Sequence, residues 1–235
     1  MQKSSIPIVL TGTITPRAIY TVHADPQQRR REYRDAIAWY AQFAPVHFLE
    51  NSGFRFASDP EFSGIADVTY FEHPPSGQFD KGKGFQEFEM LDAWVAAAAP
   101  LPARFLKITG RYIVTNIGAV LADCAADAAA DALLERKLWP AHSARTDVAC
   151  FDSAFYKAHI AGAYLRCDDS AGMYIENVLR RQLDDEPRIR VFRHFPVKTG
   201  TNGSKGIPLP SGIGETIKIG LRNAFYHLNS AHRFF

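Results

Sequence analysis

The 235-residue sequence predicts an α/β fold, a mostly parallel sheet flanked by helices within a single domain. Three observations carry this. Strand-like and helix-like segments alternate along the chain, as crossovers between parallel strands require. The apolar runs that read as strands end in polar clusters, the arrangement that presents ligand-binding groups at the carboxyl edge of such a sheet. Hydrophobic side chains make up 46% of the residues, enough for one large core.

The stretch "IPIVLTGTITP" is a short β-rich run ending in Thr11, Gly12, Thr13 and Pro16, a buried strand delivering a polar loop. "DPQQRRREYRDAIAWYAQFA" offers Asp25 as N-cap, Pro26 at the first helical position, and Tyr33, Ile37, Tyr40 and Ala41 at helical spacing. Its Arg29, Arg30 and Arg31 read as a solvated helix face or, more sharply, as a membrane or phosphate patch. "PVHFLENSG" gives a second strand closing on Glu50, Asn51 and Ser52, and "ADVTYFEH" a third. In "FQEFEMLDAWVAAA", Phe85, Phe88, Met90, Leu91, Trp94 and Val95 form one apolar stripe of a helix that stops before Pro100.

A fourth strand, "ARFLKITGRYIVTN", follows, and the Ala-rich "AVLADCAADAAADALLERKLW" reads as helix. "DVACFDSAFY" then reads as a strand and "GMYIENVLRRQL" as a helix. The Gly- and Pro-dense segment 196–214 is long for a connection, and its residues 197–213 read as a flexible loop, either a functional lid or a linker. The tail places Ile217, Ile219, Leu221 and Phe225 among Lys218, Arg222 and His227, a docked helix or a basic amphipathic helix at a membrane surface.

The charge balance excludes one large class of partners. With 27 Lys+Arg against 25 Asp+Glu the net charge is +2, far from the basic excess of a dedicated nucleic-acid binder, so any anion site is local. Cys124, Cys150 and Cys167 form no CxxC pair and no disulfide framework, which fits a reducing compartment. The N-terminal apolar run is too short for a signal sequence, and no stretch approaches a membrane span. The expected location is cytoplasmic, with the C-terminal segment offering contact with the inner face of a membrane.

The stretch "KGKGFQEFEM" opens the third helix with Lys81 and Lys83 interleaved with glycines. It is not GxGxxG, because Glu87 stands where the third glycine belongs, and no Walker loop is present. What remains is either a solvated turn or an anion cradle, with two ammonium groups and backbone N–H donors at a helix N-terminus. In "FLKITGRY", Lys107, Thr109 and Arg111 alternate, so an extended strand puts them on one face. They are then a cationic strand end suited to a diphosphate; a strand ending at Thr109-Gly110 would leave the two cations as surface charges. Asp152, Asp168, Asp169 and Glu176 are the carboxylates able to serve as a general base or merely as caps. The histidines form no metal-binding pair.

This order of elements resembles the nucleotide-binding, Rossmann-like half of GT-A type glycosyltransferases. The pairing "KGKGFQEFEMLDAW…FLKITGRYIV" looks like bacterial enzymes of capsule and lipopolysaccharide biosynthesis. The resemblance covers residues 1–120, which it casts as the donor half, with 121–235 as the acceptor half. It implies that Thr11, Gly12, Thr13, Glu50, Asn51 and Ser52 line the nucleotide. Gly84 and Glu87 belong to the helix beneath the donor, which the Lys81 loop opens, Lys83, Lys107, Thr109 and Arg111 stand at the diphosphate, and Glu176, with Asp152 second, stands where the family places its base. The family's Asp-x-Asp metal motif is absent at that strand, so no cofactor is firmly predicted: a divalent metal stays open without that motif's support, and transfer with fixed cations in its place is the expectation.

The expected activity is transfer of a sugar from a nucleotide-sugar donor to a cell-envelope glycan or lipid-linked glycan, with no nucleic-acid partner. Two rivals stand beside it. One is a nucleotidyl- or phosphoryl-transferring enzyme on the same cationic loop; the other is a non-catalytic nucleotide- or glycan-binding module.

Overall fold

A computed structural model describes residues 2–18, 21–22, 24–136, 144–202, 206–209 and 217–224 of the chain. In chain order the strands are β1 (Ile8–Gly12), β2 (Val46–Glu50), β3 (Val68–Glu72), β4 (Arg104–Thr109), β5 (Ile113–Val114), β6 (Ala132–Arg136), β7 (Ala144–Asp152), β8 (Ile189–Val191) and β9 (Lys198–Thr199). The helices are α1 (Pro26–Tyr40), α2 (Pro60–Ser63), α3 (Lys83–Ala97), α4 (Ile117–Ala126), α5 (Ser153–Phe155) and α6 (Ile175–Leu183).

One seven-stranded sheet, ordered β3-β2-β1-β4-β7-β6-β8, organises the molecule, and β5 pairs with β9 beside it. β3, β2, β1 and β4 are parallel, as the alternation of elements predicts, and β7 runs against its neighbours β4 and β6. Register places Thr11 level with Leu49 and Thr109, and Gly12 level with Glu50. Because β7 is antiparallel, its first residues, not its last, lie at that same edge: Val148 faces Ile108, whereas Asp152 faces Arg104 at the far end.

Strand β1 is buried along its whole length, as a central strand covered on both faces must be. Asp25 caps α1 by accepting from the Gln27 N–H, with Pro26 beginning the helix as the sequence predicts. On α3 the apolar stripe is buried, and Trp94 meets Phe105 of β4 edge-on at 5.2 Å. Phe105 also packs on Phe151 and Tyr156. Complete burial of such a ring stabilises the fold by about 1.5–3 kcal/mol.

Three expectations are corrected. The Ala-rich run is helix only to Ala126; Ala132–Arg136 is strand β6, because Leu133 and Leu134 fill a sheet position between β7 and β8 that outweighs helix propensity. Strand β4 ends at Thr109, so Arg111 sits in the following turn, where the Tyr112 N–H donates to the Thr109 carbonyl at 3.1 Å. Lys107 and Arg111 are nonetheless buried, not surface charges. Within the expected loop 197–213, residues 198–199 pair with β5 and Thr201 bridges Pro208, while 203–205 and 210–213 lie outside the described residues.

Residues 217–224 are helical, and the rest of the predicted tail lies outside the described residues. Among the described residues no helix is long and apolar enough to cross a membrane. The three cysteines are buried thiols.

Candidate functional site

The carboxyl edge of β1 opens onto a loop, and Gly12, the last residue of the strand, lets it pack closely on the core there. A Cβ on Gly12 would stand 2.4 Å from the Phe48 ring, so a side chain at this position would displace the core. The loop is then pinned from β2. The Ile14 N–H donates to Glu50 Oε1 at 2.9 Å, the Thr13 hydroxyl to Asn51 Oδ1 at 2.6 Å, and the Thr15 N–H to Ser52 Oγ at 2.9 Å. Glu50 also accepts from the Ser52 and Phe54 N–H groups, while burial pushes its carboxyl above the ordinary range. Glu50, Asn51 and Ser52 therefore hold the Thr13–Thr15 loop in shape.

Helix α1 contributes a cation that the sequence does not advertise. Arg29, only 4% exposed, donates from Nε to the Thr13 carbonyl at 2.7 Å and from Nη2 to the Tyr33 hydroxyl at 2.9 Å. The same hydroxyl accepts from the Thr13 N–H. Burial lowers the Arg29 pKa, and nearby Arg111 adds to the lowering against the favourable fields of Tyr33 and Glu32. The arginine triplet is thus no uniform solvated face: Arg30 pairs with Asp59 at 2.7 Å, Arg31 is exposed and Arg29 points inward. The available signal was Tyr33, one turn on, an aromatic hydroxyl able to satisfy a buried guanidinium.

At the centre lies a buried ion pair. Lys107, 0% exposed, donates to Glu87 Oε1 at 2.6 Å and to the Thr146 carbonyl of β7 at 2.6 Å. Glu87 Oε1 also accepts from the Thr109 hydroxyl at 3.2 Å and from the Thr11 hydroxyl. β1, β4 and α3 are thereby joined at one carboxylate.

Two adjoining cavities meet here. The first, about 100 Å³, is lined by Thr11, Gly12, Thr13, Thr21, Arg29 and Tyr33; the second, about 480 Å³, by Arg145, Thr146, Asp147, Asp169 and Glu176. The second falls in the range of small-molecule sites. Lys83, Glu87, Thr109 and Arg111 line both. Arg111, 8% exposed, donates to the Thr201 carbonyl at 2.9 Å and stands 3.9 Å from Glu32, yet its buried Nε has no hydrogen-bond partner among the described residues. A buried guanidinium N–H without a partner is a costly group unless a ligand meets it.

The lysines of the opening loop part company. Lys81 pairs outward with Asp168 at 2.9 Å and lines neither cavity, while Lys83 lines both. Burial lowers the Lys83 pKa, Asp169 opposes that shift, and Arg111 and Arg29 add to it. Gly84 admits Ile175 of α6, which a Cβ there would approach to 2.8 Å.

Glu176, in the first turn of α6, receives the Thr146 hydroxyl at 3.4 Å. Burial raises its pKa, and repulsion from Asp147 and Glu87 raises it further against the pull of Lys107. Burial acts to raise Asp147 as well, but Lys198 and Arg145 prevail and hold it at about 2. Lys198 is bound at once to Asp147 at 3.0 Å and to buried Glu135. Asp152 is not brought to this edge; it caps α5 at the opposite end of the sheet. Thr21, Arg145, Asp147 and Asn202 are cavity residues that the sequence pattern did not single out, and Arg29 one that it named only as part of the arginine triplet.

No protein-family model and no curated relative matches the chain. Solved structures do. Over 81% of its length the chain superimposes on 45% of the glycosyltransferase GlyE of Streptococcus pneumoniae TIGR4, at 9% identity and a TM-score of 0.53. It therefore shares that protein's α/β fold while spanning less than half of its length. Weaker superpositions, which add nothing to the fold assignment, are with TarS residues 1–349 of S. aureus (12% identity, 98% of this chain and 67% of that one, TM-score 0.49) and mouse xyloside xylosyltransferase 1 (10%, 80% and 85%, 0.46).

Proposed function

We propose that the chain is a nucleotide-sugar-dependent glycosyltransferase that moves a sugar to a cell-envelope glycan or lipid-linked glycan. The observation that carries the reading is the convergence of Arg29, Lys83 and Arg111 on one cavity at the carboxyl edge of β1 and β4, with the Arg111 Nε unpartnered among the described residues. Such a cluster matches a diphosphate in charge and in donors. The first cavity, too small for a whole nucleotide, takes part of the nucleoside diphosphate between the Thr11–Thr13 edge and these cations; the larger second cavity takes the rest of the donor and the acceptor.

In the transfer, the acceptor oxygen bonds to the anomeric carbon as the bond to the diphosphate oxygen breaks. The diphosphate keeps the electron pair and rests against Lys83, Arg111 and Arg29. Where the reaction inverts the anomeric centre, Glu176 takes the acceptor proton, and its raised pKa brings it closer to the value a base needs near neutrality. A divalent ion fits poorly at the strand end where the family binds one. The side chains there are the Lys107 ammonium, already paired with the Glu87 carboxylate, and the Arg111 guanidinium. The reading is accordingly metal-independent, with the cations offsetting the leaving-group charge.

Residues Ile217 and Leu221, exposed one helical turn apart on 217–224, support peripheral contact with the inner membrane face, where a lipid-linked acceptor resides. The decisive experiment is thermal denaturation with a panel of nucleoside diphosphates and nucleotide sugars, with and without Mn²⁺. Stabilisation by at least one nucleotide sugar, undiminished by chelator, is expected. No stabilisation by any of them sinks the reading.

A further inference from the structure

Glu87 is the carboxylate common to both cavities, and its two oxygens are used unequally. Oε1 accepts from Lys107 at 2.6 Å, from the Thr109 hydroxyl at 3.2 Å and from the Thr11 hydroxyl. Among the described residues no group donates to Oε2. A carboxylate has acceptor sites on both oxygens, and this one, 20% exposed, keeps those of Oε2 for the cavities.

It is also held still. Lys107 is fully buried and anchored a second time to the Thr146 carbonyl at 2.6 Å, so turning the Glu87 carboxylate away would strand an ammonium in the core. The cations Lys83 and Arg111 line the same walls and select an anion, which Glu87 itself repels. A ligand seated there must present to Glu87 a neutral hydrogen-bond donor carried beside its anionic group.

We infer that Glu87 Oε2 is a fixed hydroxyl acceptor where the two cavities meet, reading a hydroxyl of the ligand adjacent to its diphosphate, with Lys107 as the positioning residue. The inference rests on the nucleotide-sugar reading above. The hydroxyl belongs either to the ribose or to the transferred sugar, and the shared chemistry is a neutral O–H donor close to a phosphate. A site built around such a hydrogen bond discriminates strongly against a ligand lacking the hydroxyl, because a charged acceptor is left unmet.

The test is calorimetric binding to the full chain. One arm compares uridine, cytidine, adenosine and guanosine diphosphates with their 2′-deoxy and 3′-deoxy counterparts. The other compares the preferred diphosphate bearing a hexose with the same diphosphate bearing hexoses deoxygenated at single positions. One deoxy ligand should bind about ten- to a hundredfold more weakly, the range of a hydrogen bond to a charged group. That gap should shrink to within about threefold in Glu87→Ala paired with Lys107→Met, where no charge is left buried. Ligands of equal affinity in both arms overturn the inference even if the double variant fails to fold, as does a gap that survives the substitutions. Absence of binding by every parent nucleotide overturns instead the functional reading on which it rests.

Discussion

The Lys83 backbone N–H donates to Asp169 Oδ2 at 3.2 Å, so the start of α3 is met by a carboxylate of the protein itself. Asp169 begins a short 3₁₀ turn, Asp169–Ala171, that precedes α6, and Gly82 makes the approach feasible. At φ 95°, Gly82 occupies backbone space open to glycine, and a Cβ there would lie 2.0 Å from Asp169 Oδ2. The opening loop is therefore neither a bare solvated turn nor an empty anion cradle. Its first backbone donor is satisfied in cis, and Lys83 is left to act through its side chain in the cavities.

Replacing Gly82 with alanine tests this closure. Backbone strain alone costs about 1–3 kcal/mol at a glycine-only conformation, and displacement of Asp169 adds to it. Urea denaturation should show Gly82→Ala less stable by at least about 1 kcal/mol, whereas Gly77→Ala, with open space around its Cβ, should stay within about 0.5 kcal/mol of the parent. Equal losses at both positions would contradict the account.

Arg111→Gln should separate binding from stability. The guanidinium adds to the unfavourable field at Arg29 and Lys83, so its removal relieves repulsion while losing the bond to the Thr201 carbonyl. The two nearly offset, and unfolding free energy should move by no more than about 1 kcal/mol. Affinity for a nucleoside diphosphate should fall about ten- to a hundredfold in titration calorimetry, with weaker salt dependence. A stability loss with unchanged affinity would make Arg111 a structural residue.

The parts of this site legible in the sequence are those fixed by local pattern. Thr11 to Thr13 follow from a β-rich run ending in polar residues, and α1 and α3 from capping and apolar spacing. Lys107 and Arg111 were legible as types and not as environments. Their burial depends on β7 lying against β4 and on the 198–202 segment covering Arg111, pairings distant in sequence. Arg29 was hidden because three successive arginines look alike until the helix is oriented. Asp152 misled because nothing local reveals that β7 is antiparallel, and that direction alone moves its final residue to the far edge. β6 was lost in an alanine-rich run whose local preference is helical and whose fate is decided by the gap between β7 and β8.

Lys107→Met should be strongly destabilising. Removing the ammonium leaves the Glu87 carboxylate, 20% exposed, without its partner, at a cost of up to about 3 kcal/mol, the low end for a buried pair. In Lys107→Met with Glu87→Leu the uncompensated charge is gone, and chemical denaturation should recover most of the loss. A double variant no more stable than Lys107→Met alone would show that the pair's worth lies in the hydrogen bonds to Thr11, Thr109 and Thr146, not in charge balance.

Glu176 sets the expected pH dependence. Burial first, and then Asp147 and Glu87, raise its pKa in the folded chain above the unfolded value of about 4.3. The native state therefore keeps its proton to higher pH than the unfolded state does. Stability falls as pH rises from the unfolded value through the raised one, and the penalty is fully present above it. Glu176→Gln carries no such penalty, so it should be more stable than the parent at pH 7, with the difference closing below about pH 4. If Glu176 accepts the acceptor proton, the same substitution should remove turnover, and the acid limb of kcat/KM in the parent should lie above the ordinary carboxylate range. Asp147→Asn separates the field from the burial. With that repulsion gone the acid limb should move down toward the ordinary value, while Lys198 keeps its bond to Glu135. An acid limb that ignores Asp147→Asn would place the titrating base elsewhere than Glu176.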